Sequence, residues 1–291
     1  MRIREVMKER LSFSFEVFPP KAEQPMEPLL EVLDKLYGFA PDFVSCTYGA
    51  GGTNKGRSSE ICACIAKAGK ALPMAHFTCI GNTRQDVKTI IGEYIALGVE
   101  HFLLMRGDYP PGTSGTGGDF AHADGLIGYV KSIYPQLCIA AACYPEKHLL
   151  APDFDVDISF LRSKQDNGAE LLMTQLCHDV DNYCRFVEKV RRAGVTLPID
   201  LGLMPVLAKD PTYRMAVSNG CSIPRELAEI IGKYGENPED FKKAGKEFTV
   251  KQIYRYLAAG VNGLHIYTLN KYEDVADIIG MSGLRGAFAG A

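Results

Sequence analysis

The chain has 291 residues, 46% of them hydrophobic, enough for one large core or two modest ones. A formal net charge of −3 gives no electrostatic argument for nucleic acid or an acidic membrane. No apolar run is long enough to span a bilayer, and the N-terminus, "MRIREVMKERLSF", is charged and lacks an apolar signal core, so the expected location is the cytoplasm.

Apolar, β-rich runs alternate with amphipathic stretches along the chain. A first strand is predicted over 12–18, "SFSFEVF", with aromatic residues on alternate positions and Glu16 near its end. The stretch "MEPLLEVLDKLYGF" has helical spacing, "DFVSCTYG" (42–49) reads as a strand, and 57–69 as a helix. The strand "LPMAHFTCI" (72–80) precedes a helix with Thr83 as N-cap and Gly98 as its stop. "EHFLLMRGD" (100–108) is the next strand, followed by the Pro/Gly/Ser/Thr-rich "YPPGTSGTGGDF", a long loop of the kind that often carries function. A helix over about 121–134, a strand over 137–145 and a helix over about 154–167 follow. The strand 169–176 leads into a helix capped by Asp179, and the strand 197–205 into a longer helical region to about 259. The strand 261–270 and a helix over 272–280 close the pattern.

Strand–helix alternation implies parallel strands and right-handed crossovers. Eight such units in 291 residues fit a single (β/α)8 TIM barrel filling residues 1–291. The competing open, doubly wound sheet would want a GxGxxG turn after an early strand, and "GAGGTNKG" (49–56) fails that spacing. The nine cysteines include no CxxC pair and lie mostly in apolar runs, so they read as small buried hydrophobes in a reducing compartment, with no metal site.

In such a barrel the chemistry belongs at the C-terminal strand ends. Those ends carry Glu16; Thr47 and Tyr48; His76 and Thr78; Arg106 and Asp108; Tyr144 and Glu146; Thr174 and Gln175; and Tyr267, Thr268 and Asn270. No strand core contains a lysine for Schiff-base chemistry, the histidines form no HxH or HExxH, and no GxSxG elbow is present. Carboxylates, Arg, Tyr, Gln and Thr beside Gly-rich loops suit a polar, extended cofactor that carries the hard chemistry.

The segments "SFEVFPPK", "VSCTYGAGG", "AHFTCIG", "LMRGD", "AACYPEKH", "MTQL" and "GLHIYTLN" follow one another along nearly the whole chain, and in this order the sequence resembles the methylenetetrahydrofolate reductase family. The resemblance implies a flavin-dependent (β/α)8 barrel that reduces 5,10-methylenetetrahydrofolate to 5-methyltetrahydrofolate, with FAD as cofactor and NADH or NADPH as electron donor in a ping-pong scheme. It implies Glu16 as general acid toward N10 of the folate and Asp108 as a carboxylate between flavin and pterin. Gln175 and Lys271 are implied to bind the folate. Thr47, Tyr48, His76, Arg106, Gly107, Asp108, His122, Ala123, Tyr144, His148, Asp157 and Lys164 are implied to line the flavin site. Lys164, with Arg162, would meet the pyrophosphate. Phe13, Phe15 and Phe18 would supply apolar surroundings that keep Glu16 protonated.

The sequence departs from the family at Phe160 and Ser163, where the flavin helix usually has Asn and Arg, which keeps FMN as an alternative to FAD. Met215 falls near the place of the folate-loop aromatic residue, with Tyr213 close by. The chain stops after the barrel, so inhibition by S-adenosylmethionine is not expected. A homo-oligomer, or a complex with an accessory electron-transfer subunit, is the expected assembly. In the second case the chain would be a folate- and flavin-binding subunit that takes electrons from its partner.

Overall fold

Alternation of residues along eight short runs produces eight parallel strands, which the structure, a computed structural model covering residues 2–48, 55–109 and 117–284, closes into a barrel. The strands are β1 (Ser12–Val17), β2 (Phe43–Cys46), β3 (Leu72–Thr78), β4 (His101–Met105), β5 (Cys138–Cys143), β6 (Leu171–Thr174), β7 (Ile199–Leu203) and β8 (Gly263–Tyr267). They pair in chain order, and β8 returns to β1 with Ser14 opposite His265 and Glu16 opposite Tyr267. The (β/α)8 reading holds, with each strand shorter than its apolar run because the rim residues leave the ladder. Most of the Gly-rich loop (110–116) and part of "GAGGTNKG" (49–54) lie outside the described residues.

The helices are α1 (Ile3–Glu9), α2 (Glu27–Leu36), α3 (Lys55–Ala68), α4 (Arg84–Ala96), α5 (Ala123–Ile133), α6 (Phe154–Asp166), α7 (Val180–Arg192), α8 (Lys209–Ser218), α9 (Arg225–Tyr234), α10 (Pro238–Ala258) and α11 (Tyr272–Ser282). Thr83 forms a full capping box with Asp86, and the Asp179 carboxylate accepts from the amides of Asp181 and Asn182, as their sequence positions predict. The long helical region after β7 is three helices rather than one. Pro224 and the Gly235–Asn237 turn interrupt it, and Val206, Leu227, Phe241 and Phe248 form a local core among the pieces.

Period-2 alternation sorts each strand's side chains into two environments. Phe13, Phe15 and Val17 point outward into the large core between strands and helices. Ser12, Ser14 and Glu16 therefore point inward. The rest of the barrel interior is mainly apolar: Phe43, Met74, Leu103, Ala140, Leu171 and Met173 belong to one cluster. Helix α1, which the sequence reading did not predict, adds Ile3 and Met7 to that cluster from the N-terminal end of the strands. Its Arg2 reaches Glu170 and the carbonyl of Gln136 at the entrances of β6 and β5.

Candidate active site

Against this apolar filling, β1, β2, β3, β7 and β8 build a polar wedge. His265 occupies its centre. Its Nδ1 lies 2.7 Å from the Ser14 hydroxyl, its Nε2 3.2 Å from that of Ser45, and its ring stacks on Phe43 with centroids 5.4 Å apart. Glu16 Oε2 stands 3.8 Å from His265 Nε2 and 3.6 Å from His76 Nε2, ion-pair rather than hydrogen-bond distances. The Glu16 side chain keeps 22% of its exposure, so it is the member of the group that faces the barrel mouth.

Two strand-end motifs hold Glu16 in place. Its carbonyl accepts from the hydroxyl (2.6 Å) and the amide (3.2 Å) of Thr268. The Asn270 side chain clamps the next turn, accepting from the Phe18 amide and donating to the Phe18 carbonyl. Leu269 and Asn270 adopt positive φ values of 52° and 54°, a conformation non-glycine residues rarely take, and it turns Asn270 back onto the first strand. "YTLN" is thus the brace of "FEVF".

The electrostatics differ from the sequence expectation. Phe13 and Phe15 lie on the opposite face of β1, and Phe18 is 42% exposed, so aromatic side chains do not surround Glu16. Burial pushes its carboxyl up, but the pairing with His265 and the neighbouring His76 outweigh that and leave it below the ordinary value. Burial also drives His76 down to about 4, so its ring is neutral at pH 7. Deeper in, Asp200 on β7 is fully buried and pushed up to about 7 by desolvation. Above it Tyr267 donates to the Thr174 carbonyl at 2.9 Å, crossing Gly202, where any Cβ would collide with the phenol.

A second cluster lies at the ends of β4 and β5 and on α5 and α6. Arg106 lies over the Tyr109 ring, 4.6 Å from its centroid, and donates to the Gly107 carbonyl. Gly107 has φ +88°, and a Cβ there would come within 2.8 Å of Ile80, so only glycine lets "RGD" turn at this point. Asp108 is exposed at the rim and acts electrostatically on Tyr144 and His148, whose rings meet edge-on at 4.6 Å. Asp157 accepts from the His148 amide at 3.0 Å, and Lys164 donates to the Ala142 carbonyl at 2.8 Å. Burial lowers the Lys164 pKa. His122 precedes the first residue of α5, Ala123, and its ring packs on Phe160 at 4.8 Å. A cation bonded to a carbonyl rather than to a carboxylate, beside Arg106 and several aromatic rings, fits an anionic, extended aromatic group.

Other expected residues stand apart from these clusters. The Tyr48 ring packs against Phe77 in the outer core, and Thr47 uses its backbone, with its amide on the Val17 carbonyl and its own carbonyl taken by Ser58. Arg162 does not join Lys164; it pairs with Asp166 and donates to the Gly194 carbonyl. Ser163 is tied to Asp124 at 2.6 Å. Gln175 donates to Asn219 at the end of α8, where Tyr213 is 56% exposed, and Lys271 is an exposed N-cap of α11. Sequence reasoning missed His265, Ser14 and Ser45 as members of the site. The available signal was the run of polar residues at every second position of β1 and β8.

The profile of the methylenetetrahydrofolate reductase family matches residues 2–283. The chain belongs to that family. It is similar to methylenetetrahydrofolate reductase 1 of Schizosaccharomyces pombe, 32% identical over 95% of this chain and 47% of the yeast protein. It is also similar to the 5,10-methylenetetrahydrofolate reductases of Salmonella typhimurium and Escherichia coli, each 31% identical over 91% of this chain and 88% of theirs. The chain therefore spans about half the length of the yeast and plant reductases it matches, and most of the length of these bacterial ones. Among solved structures, a Clostridium thermocellum protein described as binding two copies of 5-methyl-5,6,7,8-tetrahydrofolic acid shares the fold. It has a TM-score of 0.67 at 14% identity and covers 98% of this chain and 99% of its own.

Proposed function

We propose that this chain is a flavin-dependent methylenetetrahydrofolate reductase, its flavin held on one barrel by the β4–β5 rim and its folate over Glu16. The observation that carries the reading is the family match across residues 2–283, with "SFEVFPPK" presenting Glu16 at the barrel mouth beside His265. The folate-bound relative of the same fold supports the substrate class. A bound flavin, FAD or FMN, would take a hydride from NADH or NADPH in one half-reaction and supply it to the folate in the next.

Lys164 and Arg106 would meet the flavin's phosphates, His122, Phe160 and Tyr144 its rings, and Asp157 holds the loop bearing His148 in place for that contact. Asp108 and Gln175 offer a carboxylate and an amide, complementary to the paired donors and acceptors of a pterin. Lys271 supplies positive charge to the folate's acidic tail. Glu16 donates the proton to N10 of the folate. Substrate over the mouth removes the remaining water from its carboxyl, which moves its pKa upward.

The purified chain should be yellow, release FAD or FMN of measurable mass, bleach with NADH or NADPH, and regain colour with methylenetetrahydrofolate. A colourless chain that takes up no added flavin contradicts the proposal. A second reading, in which a partner subunit delivers the electrons, draws on exposed apolar side chains at the rim: Leu149, Leu150, Tyr213 and Val217. Activity with an artificial dye but with neither nicotinamide donor would favour that reading.

A further inference from the structure

Asp200 takes no part in the steps above, yet it is the deepest acid of the polar wedge. It is fully buried, and neither of its carboxylate oxygens makes a well-formed hydrogen bond, with the Ser14 hydroxyl a nearby donor. It stands on β7 opposite Gly263, two residues from Gly202, the register partner of His265. Gly263 leaves room for it: a Cβ there would collide with the Asp200 carboxyl and the Ser12 hydroxyl. A buried carboxyl short of donors favours its neutral form. Desolvation pushes it up most, His265 opposes this, Asp42 adds to it, and Ser14 opposes it weakly. Tyr267 on β8, Cys143 on β5 and Tyr183 on α7 are the other titratable groups that feel its charge. Of all these neighbours, His265 is the one whose residue type gains and loses a proton near neutral pH.

His265 thus stands between two carboxyls, Glu16 toward the mouth and Asp200 toward the interior. Two ionised neighbours would hold it as an imidazolium, and an imidazolium keeps Glu16 ionised. A neutral Asp200 removes the inner attraction. We propose that Asp200 is a positioning residue for the site's proton: its uncharged carboxyl adds no hold on that proton at His265, so that it can pass to Glu16 once substrate covers the mouth. One proton moves between His265 Nε2 and Glu16 Oε2, and no other bond changes. The inference rests on Glu16 being the acid of the folate half-reaction.

The test compares the full-length protein with its Asp200→Asn variant, which is uncharged at every pH. Nitrogen NMR reads the charge of the His265 ring, and rapid mixing reads flavin reoxidation by methylenetetrahydrofolate across pH. At about pH 6 the two proteins should match in both readouts. At about pH 8 the His265 ring should be more cationic in the natural protein than in the variant. The alkaline fall in reoxidation should move upward by about one pH unit in the variant, with flavin reduction by the donor unchanged. Asp200→Leu, also uncharged, carries the same expectations should the amide variant not fold. An unaltered ring charge and an unaltered profile would overturn the role of Asp200. A Glu16→Gln protein measured alongside separates the two ideas: intact reoxidation there removes Glu16 as the acid, whatever His265 does.

Discussion

Glu16 shows how much one residue's setting depends on the strand that carries it. Its place at a strand end, before Pro19 and Pro20, is legible in the sequence. Its surroundings are not, because the aromatic neighbours in sequence occupy the other face of β1 and the groups that reach it come from β2, β3 and β8. Asp200 was hidden for the same reason: in "LPIDLGLMP" it looks like a polar interruption of a buried strand. Its raised pKa makes a prediction about stability. The folded protein keeps the proton from the unfolded value of 3.8 up to about 7, whereas the unfolded chain gives it up at the lower value. Folded Asp200 therefore binds the extra proton, and stability falls as pH rises through that window, by roughly 4 kcal/mol at most. Asp200→Asn should flatten this fall, raising the melting temperature at about pH 8 and leaving it nearly unchanged at about pH 4. Parallel melting curves of the two proteins across pH would refute it.

At the scale of elements, the strands and most helices follow from periodicity, and Thr83 and Asp179 mark their helix starts correctly. Helix α1 escaped because seven residues with four charged side chains give a weak signal, although Ile3, Val6 and Met7 have helical spacing. Its value is tertiary, as it closes the apolar interior beneath the polar wedge. Ile3 is fully buried there, so Ile3→Ala should destabilise the protein by about 2–5 kcal/mol in denaturant unfolding. A change below about 0.5 kcal/mol, the scale of a neutral surface substitution, would mean that α1 is not packed into the barrel. Gly263→Ala probes the start of β8. The added methyl has no room between Asp200 and Ser12, so a loss of about 1–3 kcal/mol is expected, and an unchanged midpoint would contradict that packing.

Over the whole molecule, eight strand–helix units made the barrel legible before any coordinates, because parallel order and right-handed crossovers leave few topologies. The candidate site was legible as a rim of polar strand ends. Its division into two clusters was not, because it depends on which strands become neighbours on closure. One cluster, with Lys164, Arg106 and the aromatic rings, suits an anionic cofactor, and the other, around Glu16 and His265, suits proton donation. The two half-reactions proposed above fit that division. The most direct measurement is therefore anaerobic rapid mixing of Glu16→Gln, with flavin reduction by NADH or NADPH and flavin reoxidation by methylenetetrahydrofolate followed separately. Reduction should proceed at the natural rate, and reoxidation should slow by about 10²–10⁴-fold, the usual contribution of a general acid. Equal slowing of both steps, or undiminished reoxidation, would contradict Glu16 as the proton donor.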